Sequence, residues 1–258
     1  MLKIIGLGLN PPYTMTLEGL EEARSSDILY LDAYTNYIPW LDIRKLEEYI
    51  GKKIRKVSRR TLEEESQRII EEARIRNVAI LVLGDPFIAT THISLRVEAE
   101  KRGVKTKVVN GISIITTIPG LTGLQYYKFG QSVTIVYPED YYFPQTPYDV
   151  LKENLRRGLH TIFFLDYKAE SKKAMTIREA IDILLKLESL RKENIVKPSL
   201  IGVGLARIGS KNQVVKAGKI MTLREYNFGS PPHLLIITGK LHYMELEALK
   251  ILCDLEDE

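Results

Sequence analysis

Short apolar runs alternate with amphipathic segments through the first 112 residues. The apolar runs are rich in β-branched residues and predict strands, whereas the segments between them space their apolar residues as helices do. The predicted strands cover residues 3–7, 27–34, 53–57, 78–83 and 104–109, and the predicted helices cover 17–24, 41–50, 61–76 and 91–102. The run at 78–83 is apolar throughout, as in a strand covered on both faces. This alternation predicts a mostly parallel sheet with helices on both faces.

Single residues mark several of the predicted helix ends. Thr16 is suited to cap the first helix, while Gly51 and Gly103 are suited to end the second and the fourth. Thr61-Leu-Glu-Glu64 matches the capping-box pattern and predicts the start of a long helix that ends near Arg76.

The second half of the chain contains more hairpins and fewer crossovers. Strands are predicted at 132–137, 160–165, 200–206, 213–216 and 234–238, and helices at 150–157, 175–190 and 242–253. Residues 138–148, with three tyrosines and three prolines, are predicted to form a loop. We therefore predict an α/β protein of two domains, residues 1–112 with a mostly parallel sheet and residues 113–258 with a mixed sheet.

Composition and charge exclude several classes of protein. Hydrophobic residues make up 45% and charged residues 27% of the 258 positions, so the chain is neither disordered nor of low complexity. The net charge is +4 with the two signs interspersed, which argues against a dedicated nucleic-acid surface. We interpret Cys253, the single cysteine, as a small apolar residue of the last helix; a chain without a disulfide fits a reducing cytoplasm. The four histidines have no partners at metal-ligand spacing, so no metal site is predicted.

One uncharged segment, residues 108–127, is long enough to span a membrane. It contains Asn110, Pro119, Gln125 and three glycines, a composition that is atypical of a membrane span. We predict a strand end, a turn and the start of a buried helix instead, and therefore no membrane association.

Glycines stand at three of the predicted strand-to-helix turns: Gly6 with Gly8, Gly84, and Gly111. The carboxyl ends of parallel strands share one edge of the sheet, where open α/β proteins bind ligands. Each glycine alone is explained by tight-turn geometry. Three at one edge favour a ligand site.

A dinucleotide site of the ordinary kind is the first candidate for that edge. Gly6-Leu-Gly8 follows a strand, and Asp32 lies 24 residues beyond Gly8, near the spacing of a ribose-binding acid. However, Pro11 stands where the third glycine belongs, and Pro11-Pro12 delays the helix whose N-terminus would hold a pyrophosphate. The sequence therefore disfavours NAD.

A series of motifs, in order along nearly the whole chain, resembles the diphthine synthase family, which belongs to the tetrapyrrole-methylase-like S-adenosylmethionine methyltransferases. The motifs are Ile5-Gly-Leu-Gly-Leu9, Gly84-Asp-Pro-Phe-Ile-Ala-Thr-Thr-His92, Gly111-Ile-Ser-Ile114, Tyr126-Tyr-Lys-Phe-Gly130, Tyr137-Pro-Glu139, Gly158-Leu-His-Thr161, Leu165-Asp166, Leu205-Ala-Arg207, Gly229-Ser-Pro-Pro-His-Leu234 and Gly239-Lys-Leu-His242. The run from Gly84 to His92, taken with the last two motifs, is the most specific part of the likeness.

The resemblance implies a two-domain α/β fold with the cofactor in the cleft between domains, and a homodimer. It implies methyl transfer from S-adenosylmethionine, leaving S-adenosylhomocysteine, to the amino nitrogen of a modified histidine on translation elongation factor 2. Archaeal-type members of the family make a trimethylammonium product. The Lys-, Glu- and Ile-rich composition of the chain suits an archaeal source.

The resemblance also implies which positions contact the cofactor. These are Leu9, Asp85, Ile88, Ser113, Ile114, Leu165, Leu205 or Ala206, and His233. From the residues alone, Asp85 is better explained as a turn-forming residue before Pro86, and His233 as a loop histidine after two prolines. No position matches a well-defined catalytic base, so none is assigned.

The chemistry of a sulfonium methyl donor agrees with this picture. The leaving group is neutral and already activated, so positioning supplies most of the catalysis and neither a metal nor a nucleophilic residue is required. Aromatic faces in the stretch 137–148 could accommodate a methylated ammonium group; alternatively, these side chains pack locally or at a dimer interface. Two other functions stay open, a methylase of tetrapyrrole or corrin precursors and a non-catalytic nucleotide-binding module.

Overall fold

Five parallel strands form the sheet of the first compact unit, Met1–Thr116. The computed structural model describes residues 1–32, 34, 38–139, 142–169 and 171–256. The strands are β1 (Leu2–Gly6), β2 (Ile28–Asp32), β3 (Ile54–Val57), β4 (Val78–Val82) and β5 (Thr106–Val109), in the order β3-β2-β4-β1-β5. Every neighbouring pair is parallel, and β1 and β4 are buried along their whole length. The prediction of a parallel first sheet is confirmed. Of the predicted second strand, residue 33 lies outside the described residues.

Four α-helices connect these strands: α1 (Leu17–Arg24), α2 (Ile43–Ile50), α3 (Ser66–Ile75) and α4 (His92–Lys101). Thr16 caps α1 as predicted, because its hydroxyl accepts a hydrogen bond from the N–H of Gly19 at 2.9 Å. Gly51 ends α2 with φ at +81°, a conformation that glycine adopts without strain.

The predicted capping box at Thr61 is wrong. A wider, π-helical turn (Arg60–Glu64) precedes α3, and the N–H of Glu65 donates to the carbonyl of Arg60 at 2.8 Å. Leu62, inside this turn, is buried in the core of the unit, so burial of an apolar side chain overrides the local capping pattern.

The second compact unit, Thr117–Glu258, contains a mixed sheet, as predicted. Its strands are β6 (Val133–Ile135), β7 (Thr161–Leu165), β10 (Ile201–Ala206), β11 (Val214–Lys219) and β12 (His233–Ile237), in the order β11-β10-β12-β7-β6. β6 and β7 are parallel, whereas the other neighbours are antiparallel. A short hairpin, β8 (Tyr167–Lys168) and β9 (Lys173–Ala174), was not predicted.

The second half contributes α5 (Ile114–Thr122), α6 (Thr146–Arg156), α7 (Ile177–Arg191), α8 (Ile220–Glu225) and α9 (Tyr243–Leu252). α6 begins before the predicted residue 150, because Pro147 is accommodated in its first turn and Tyr148 is buried in the core. α8, with six residues, was missed. Among the described residues, no helix is both long and apolar enough to cross a membrane.

The division into units falls within α5, at residues 116 and 117. The predicted domain limits, 1–112 and 113–258, stay a prediction. Cys253 follows α9; its thiol is buried and lies 3.6 Å from the carbonyl oxygen of Leu121. Burial raises the pKa of this thiol to about 11.

Candidate functional site

Three glycines bring the loops after β1, β4 and β5 into direct backbone contact in the first unit. A Cβ atom on Gly6 would lie 2.5 Å from the nitrogen of Gly111 and 2.8 Å from the carbonyl oxygen of Gly84. The loops also pair through Gly8 and Gly84, whose N–H groups donate to each other's carbonyls at 3.1 and 2.9 Å. The three glycine turns of the sequence therefore lie at one edge of the sheet. The contacts between the loops at this edge are made by backbone atoms and not by side chains.

Asp85 joins the loop after β4 to the loop after β5. Its Oδ1 accepts from the N–H of Phe87 at 3.0 Å, which is the turn-forming role left open by the sequence. Its Oδ2 accepts from Asn110 Nδ2 at 3.0 Å and from the N–H of Gly111 at 3.2 Å. A carboxylate offers about four acceptor positions, so about one remains for a ligand.

The other predicted residues of this unit lie at the same edge. Leu9 follows β1, and its carbonyl accepts from Trp40 Nε1 at 3.1 Å. Ile88, in the loop after β4, is exposed. Ser113 is buried before α5, where its hydroxyl accepts from the N–H of Ile115 at 3.3 Å, and Ile114 is the first residue of the helix. The structure thus brings all five predicted positions of the first unit to the carboxyl ends of three adjacent strands.

Sequence reasoning missed a buried pair beneath the loop after β4. His92 Nδ1 donates to the carbonyl of Pro86 at 3.1 Å, and His92 Nε2 lies 3.2 Å from Asp32 Oδ2 without hydrogen-bond alignment. Asp32 is 1% exposed, which rules out the ribose-binding role considered for a dinucleotide site. The pair instead supports the loop that carries Asp85.

The predicted residues of the second unit also share one edge of their sheet. Ala206 pairs with His233, and Leu205 pairs with Leu234. Leu234 in turn pairs with Phe164, the residue before Leu165. Because β12 is antiparallel to both β7 and β10, its first residue lies beside the last residues of those strands.

His233 offers a buried hydrogen-bond donor at this edge. Its Nδ1 accepts from the N–H of Ile177 at 3.3 Å, so the neutral ring carries its proton on Nε2. Nε2 is buried and makes no aligned hydrogen bond to the residues that the structure describes, although backbone groups of Ser230 and Gly229 act on the ring and partly oppose the lowering of its pKa. Burial and the positive charge of Arg207 lower the pKa of His233 to about 4, which keeps the ring neutral at physiological pH.

Arg207 holds the loop that leads into His233, a contact that the sequence did not reveal. Its Nη1 donates to the carbonyls of Phe228 at 2.6 Å and Ser230 at 2.5 Å, and its Nε donates to that of Asn212 at 3.0 Å. Its own backbone has φ at +52°, which is uncommon for a residue with a side chain. Arg207 is therefore a positioning residue for His233.

Three of the motifs that carried the resemblance meet at a buried carboxylate instead of a ligand site. Glu245 accepts from His160 Nε2 at 2.9 Å, from the N–H groups of Gln125 at 2.9 Å and His242 at 2.8 Å, and from the ammonium of Lys128. Burial raises the pKa of Glu245, but these donors outweigh it and lower that pKa to about 2. The network ties the start of α9 to the start of β7 and is structural.

In the aromatic stretch at 137–148, Tyr148 lies in the core and Tyr137 and Phe143 pack against it, whereas Tyr142 is 62% exposed. Tyr148 is fully buried, donates to Glu188 Oε2 at 2.8 Å and carries the guanidinium of Arg191 over its ring, so it offers no face to a ligand. Phe143 packs against the same core. Residues 140 and 141 lie outside the described part of the chain. In this stretch, local packing is the better explanation for Tyr148 and Phe143.

Among the described side chains, no group of three His, Cys, Asp or Glu residues is arranged to hold a metal ion.

The comparisons with known proteins add the class of chemistry. A family model described as tetrapyrrole (corrin/porphyrin) methylases matches residues 1–223. The chain is 44% identical to the diphthine synthase of Methanocaldococcus jannaschii over 98% of this chain and 99% of that protein.

The chain belongs to the diphthine synthase family of tetrapyrrole methylases. It is also 45% identical to the diphthine synthase of Staphylothermus marinus, over the whole chain and 95% of that protein. A crystal structure of a diphthine synthase has the same fold, with a TM-score of 0.89 and 38% identity over 99% of this chain and 96% of that one. As a diphthine synthase family member, the protein is a methyltransferase, and the predicted two-sheet α/β fold class is confirmed.

Proposed function

We propose that the protein transfers methyl groups from S-adenosylmethionine to the amino nitrogen of 2-(3-amino-3-carboxypropyl)histidine in translation elongation factor 2, giving diphthine. The observation that carries this proposal is full-length similarity to diphthine synthases at 44% and 45% identity. We extend it to the assembly and location: a homodimer acting in the cytoplasm, where the elongation factor works.

The geometry of the two sheet edges supports the choice of cofactor. S-adenosylmethionine carries an ammonium, hydroxyls and an adenine, which need a carboxylate acceptor, backbone groups and neutral donors. Asp85 retains acceptor capacity at the glycine edge, and the neutral His233 presents an Nε2–H that makes no aligned hydrogen bond to the described residues. We propose that these two, with Leu9, Ile88, Ser113, Ile114, Leu165, Leu205 and Ala206, contact the cofactor.

The reaction requires an unprotonated amine in line with the sulfonium methyl group. Orientation of two bound reactants accounts for about 7–11 kcal/mol of barrier reduction in favourable cases, without a covalent intermediate. Each of the first two transfers leaves an amine with a lone pair, whereas the third leaves a fixed cation. We therefore propose that up to three methyl groups are added to one nitrogen.

Mass spectrometry of the elongation factor tests the proposal. The factor that carries the unmethylated precursor is incubated with the protein and S-adenosylmethionine, and a factor without the precursor serves as the control. We expect a gain of up to three methyl groups on the modified histidine and none on the control. Methylation of a tetrapyrrole precursor, with the elongation factor unmodified, would contradict the proposal.

A further inference from the structure

A charged and aromatic cluster in the second unit lies beside the candidate cofactor residues and has no role in the sites described above. We call Tyr137, Glu179 and Lys173 the Tyr137–Glu179 cluster. Lys173 Nζ lies 4.1 Å from the centroid of the Tyr137 ring and 3.7 Å from Glu179 Oε1. An ammonium group thus occupies a position formed by an aromatic face and a carboxylate, both of which attract cations.

The aromatic and acidic members of the cluster are fixed. The Tyr137 N–H donates to Asp166 Oδ2 at 3.1 Å, and its hydroxyl lies 3.3 Å from both carboxylate oxygens of Glu179. Glu179 belongs to the capping box of α7, where its Oε2 accepts from the N–H of Thr176 at 2.8 Å. Burial and the Glu179 charge raise the pKa of Tyr137, so the phenol stays protonated and donates.

The cationic member is more exposed and sits on a smaller element. Lys173 belongs to the two-residue strand β9, and 55% of its side chain is exposed. Its ammonium can therefore exchange partners at small cost, since a lysine at the surface is held by little packing. The Tyr137 ring and Glu179 therefore form a cation-binding position in which another cation can replace the Lys173 ammonium.

The cluster adjoins two positions that we propose contact the cofactor. Asp166, which holds Tyr137, directly follows Leu165. Thr176, which holds Glu179, directly precedes Ile177, whose N–H donates to Nδ1 of His233. A group bound at the cluster therefore lies beside the edge of the second sheet that carries Leu165 and His233.

The charges of the cluster select a kind of ligand. Lys168 Nζ lies 5.7 Å from the Tyr137 ring centroid, so two lysines lie near Tyr137, whose N–H and hydroxyl contact the carboxylates of Asp166 and Glu179. Of the described side chains named here, two are positive and two are negative. A zwitterion matches this arrangement: its carboxylate takes Lys173 away from Glu179, and its amino group takes the place that Lys173 leaves. The ion pair between Lys173 and Glu179 is then replaced by two ion pairs, one from each of these residues to the zwitterion. The carboxylates of a polycarboxylate would instead be repelled by Glu179.

We propose that the Tyr137–Glu179 cluster binds the amino-acid end of the methyl acceptor, with Lys173 pairing with its carboxylate and the Tyr137 ring and Glu179 holding its amino group as the ammonium. The ammonium loses its proton to solvent before each methyl transfer, because the attacking nitrogen needs its lone pair. The inference rests on the proposed function, in which the acceptor carries an amino and a carboxyl group on one carbon. Each added methyl group improves contact with the ring, because methylated ammonium is less strongly hydrated and prefers an aromatic face.

Steady-state kinetics of the full-length protein tests this site, with the precursor-bearing elongation factor as substrate and S-adenosylhomocysteine affinity measured by calorimetry. The test variants are Lys173→Met, Tyr137→Leu and Glu179→Gln; glutamine keeps the capping box. Lys172→Met removes the same charge from the same hairpin and is the matched control. Lys173→Arg keeps the charge and tests for rescue.

We expect the three test variants to raise the KM for the elongation factor roughly tenfold, the usual effect of losing one charged contact. Affinity for S-adenosylhomocysteine should stay unchanged, and Lys172→Met and Lys173→Arg should behave as wild type. Wild-type KM values in all three test variants, or an equal change in Lys172→Met, overturn the site and leave the proposed function standing. Failure of the wild-type protein to methylate the factor overturns both.

Discussion

Asp85 uses both carboxylate oxygens to join two loops, so its replacement should affect stability as well as cofactor affinity. Asp85→Ala leaves the Asn110 amide and the Gly111 N–H without their acceptor. We expect the free energy of unfolding to fall by roughly 1–3 kcal/mol. Urea unfolding and titration with S-adenosylhomocysteine measure the two effects on one variant. Weaker binding with unchanged stability would show that Asp85 acts on the cofactor alone.

Arg207 acts on His233 through its charge and through the loop it holds, and two substitutions separate these effects. Arg207→Met removes the charge, so the pKa of His233 should rise from about 4 part of the way to 6.5, since burial remains. Arg207→Lys keeps the charge but not the donors to three carbonyls, so the pKa should stay low while cofactor affinity falls. NMR titration of the imidazole measures the pKa. The same pKa in Arg207→Met as in wild type would exclude the electrostatic effect.

At the scale of elements, the close contact of three strand-end loops predicts that two glycines respond differently to alanine. A Cβ at Gly6 meets backbone atoms of Gly84 and Gly111, which cannot move independently, so Gly6→Ala should cost about 3 kcal/mol or more. Gly84 has open space within 4 Å of its Cβ position but φ at +74°, so Gly84→Ala should cost about 1–2 kcal/mol. Thermal unfolding of the two variants gives the order, and the reverse order would contradict the packing argument.

Elements whose signals are local were predictable from the sequence, and elements that depend on distant burial were not. Thr16 and Gly51 mark helix ends through their own hydrogen bonds and dihedral angles, and both were found. Thr61 carried the same kind of signal, but burial of Leu62 produced a wider turn there. The short α8 has too few residues to show a helical period.

The same distinction applies to the candidate site. The glycine edge was predictable because tight turns require glycine at particular positions. Asp32 with His92, and Arg207 with Ser230, are pairs of residues distant in sequence, and their contacts arise from strand order and loop packing. The stretch 137–148 was considered either as a ligand surface or as locally packed; Tyr148 is buried, because its position within α6 directs it to the core.

At the scale of the whole molecule, three buried groups make stability depend on pH in one direction. The pKa of His160 is lowered by burial, that of His233 is lowered to about 4, and that of Glu245 is lowered to about 2. The unfolded chain therefore binds protons more readily than the folded chain does, at the histidines below pH 6.5 and at the glutamate below pH 4.5. We expect the free energy of unfolding to fall as the pH drops below 6.5.

Urea unfolding across this pH range measures the effect. His233→Gln should lose its part of the slope, between pH 6.5 and about 4, and keep the part that belongs to Glu245. A free energy of unfolding that stays constant from pH 7 to pH 4 would contradict the ionisation states assigned to the two histidines, and one that stays constant below pH 4.5 would contradict that of Glu245.

Chemical labelling of the buried Cys253 thiol can report local unfolding of the protein. The thiolate is the species that reacts with alkylating reagents, and a pKa of about 11 leaves little of it in the folded chain. Modification at neutral pH must then wait until the end of α9 separates from Leu121 and admits the reagent. Because the chain has one cysteine, the labelling rate reads this event without an introduced probe. Comparing that rate with and without S-adenosylhomocysteine would show whether ligand binding changes local unfolding at the C-terminal helix.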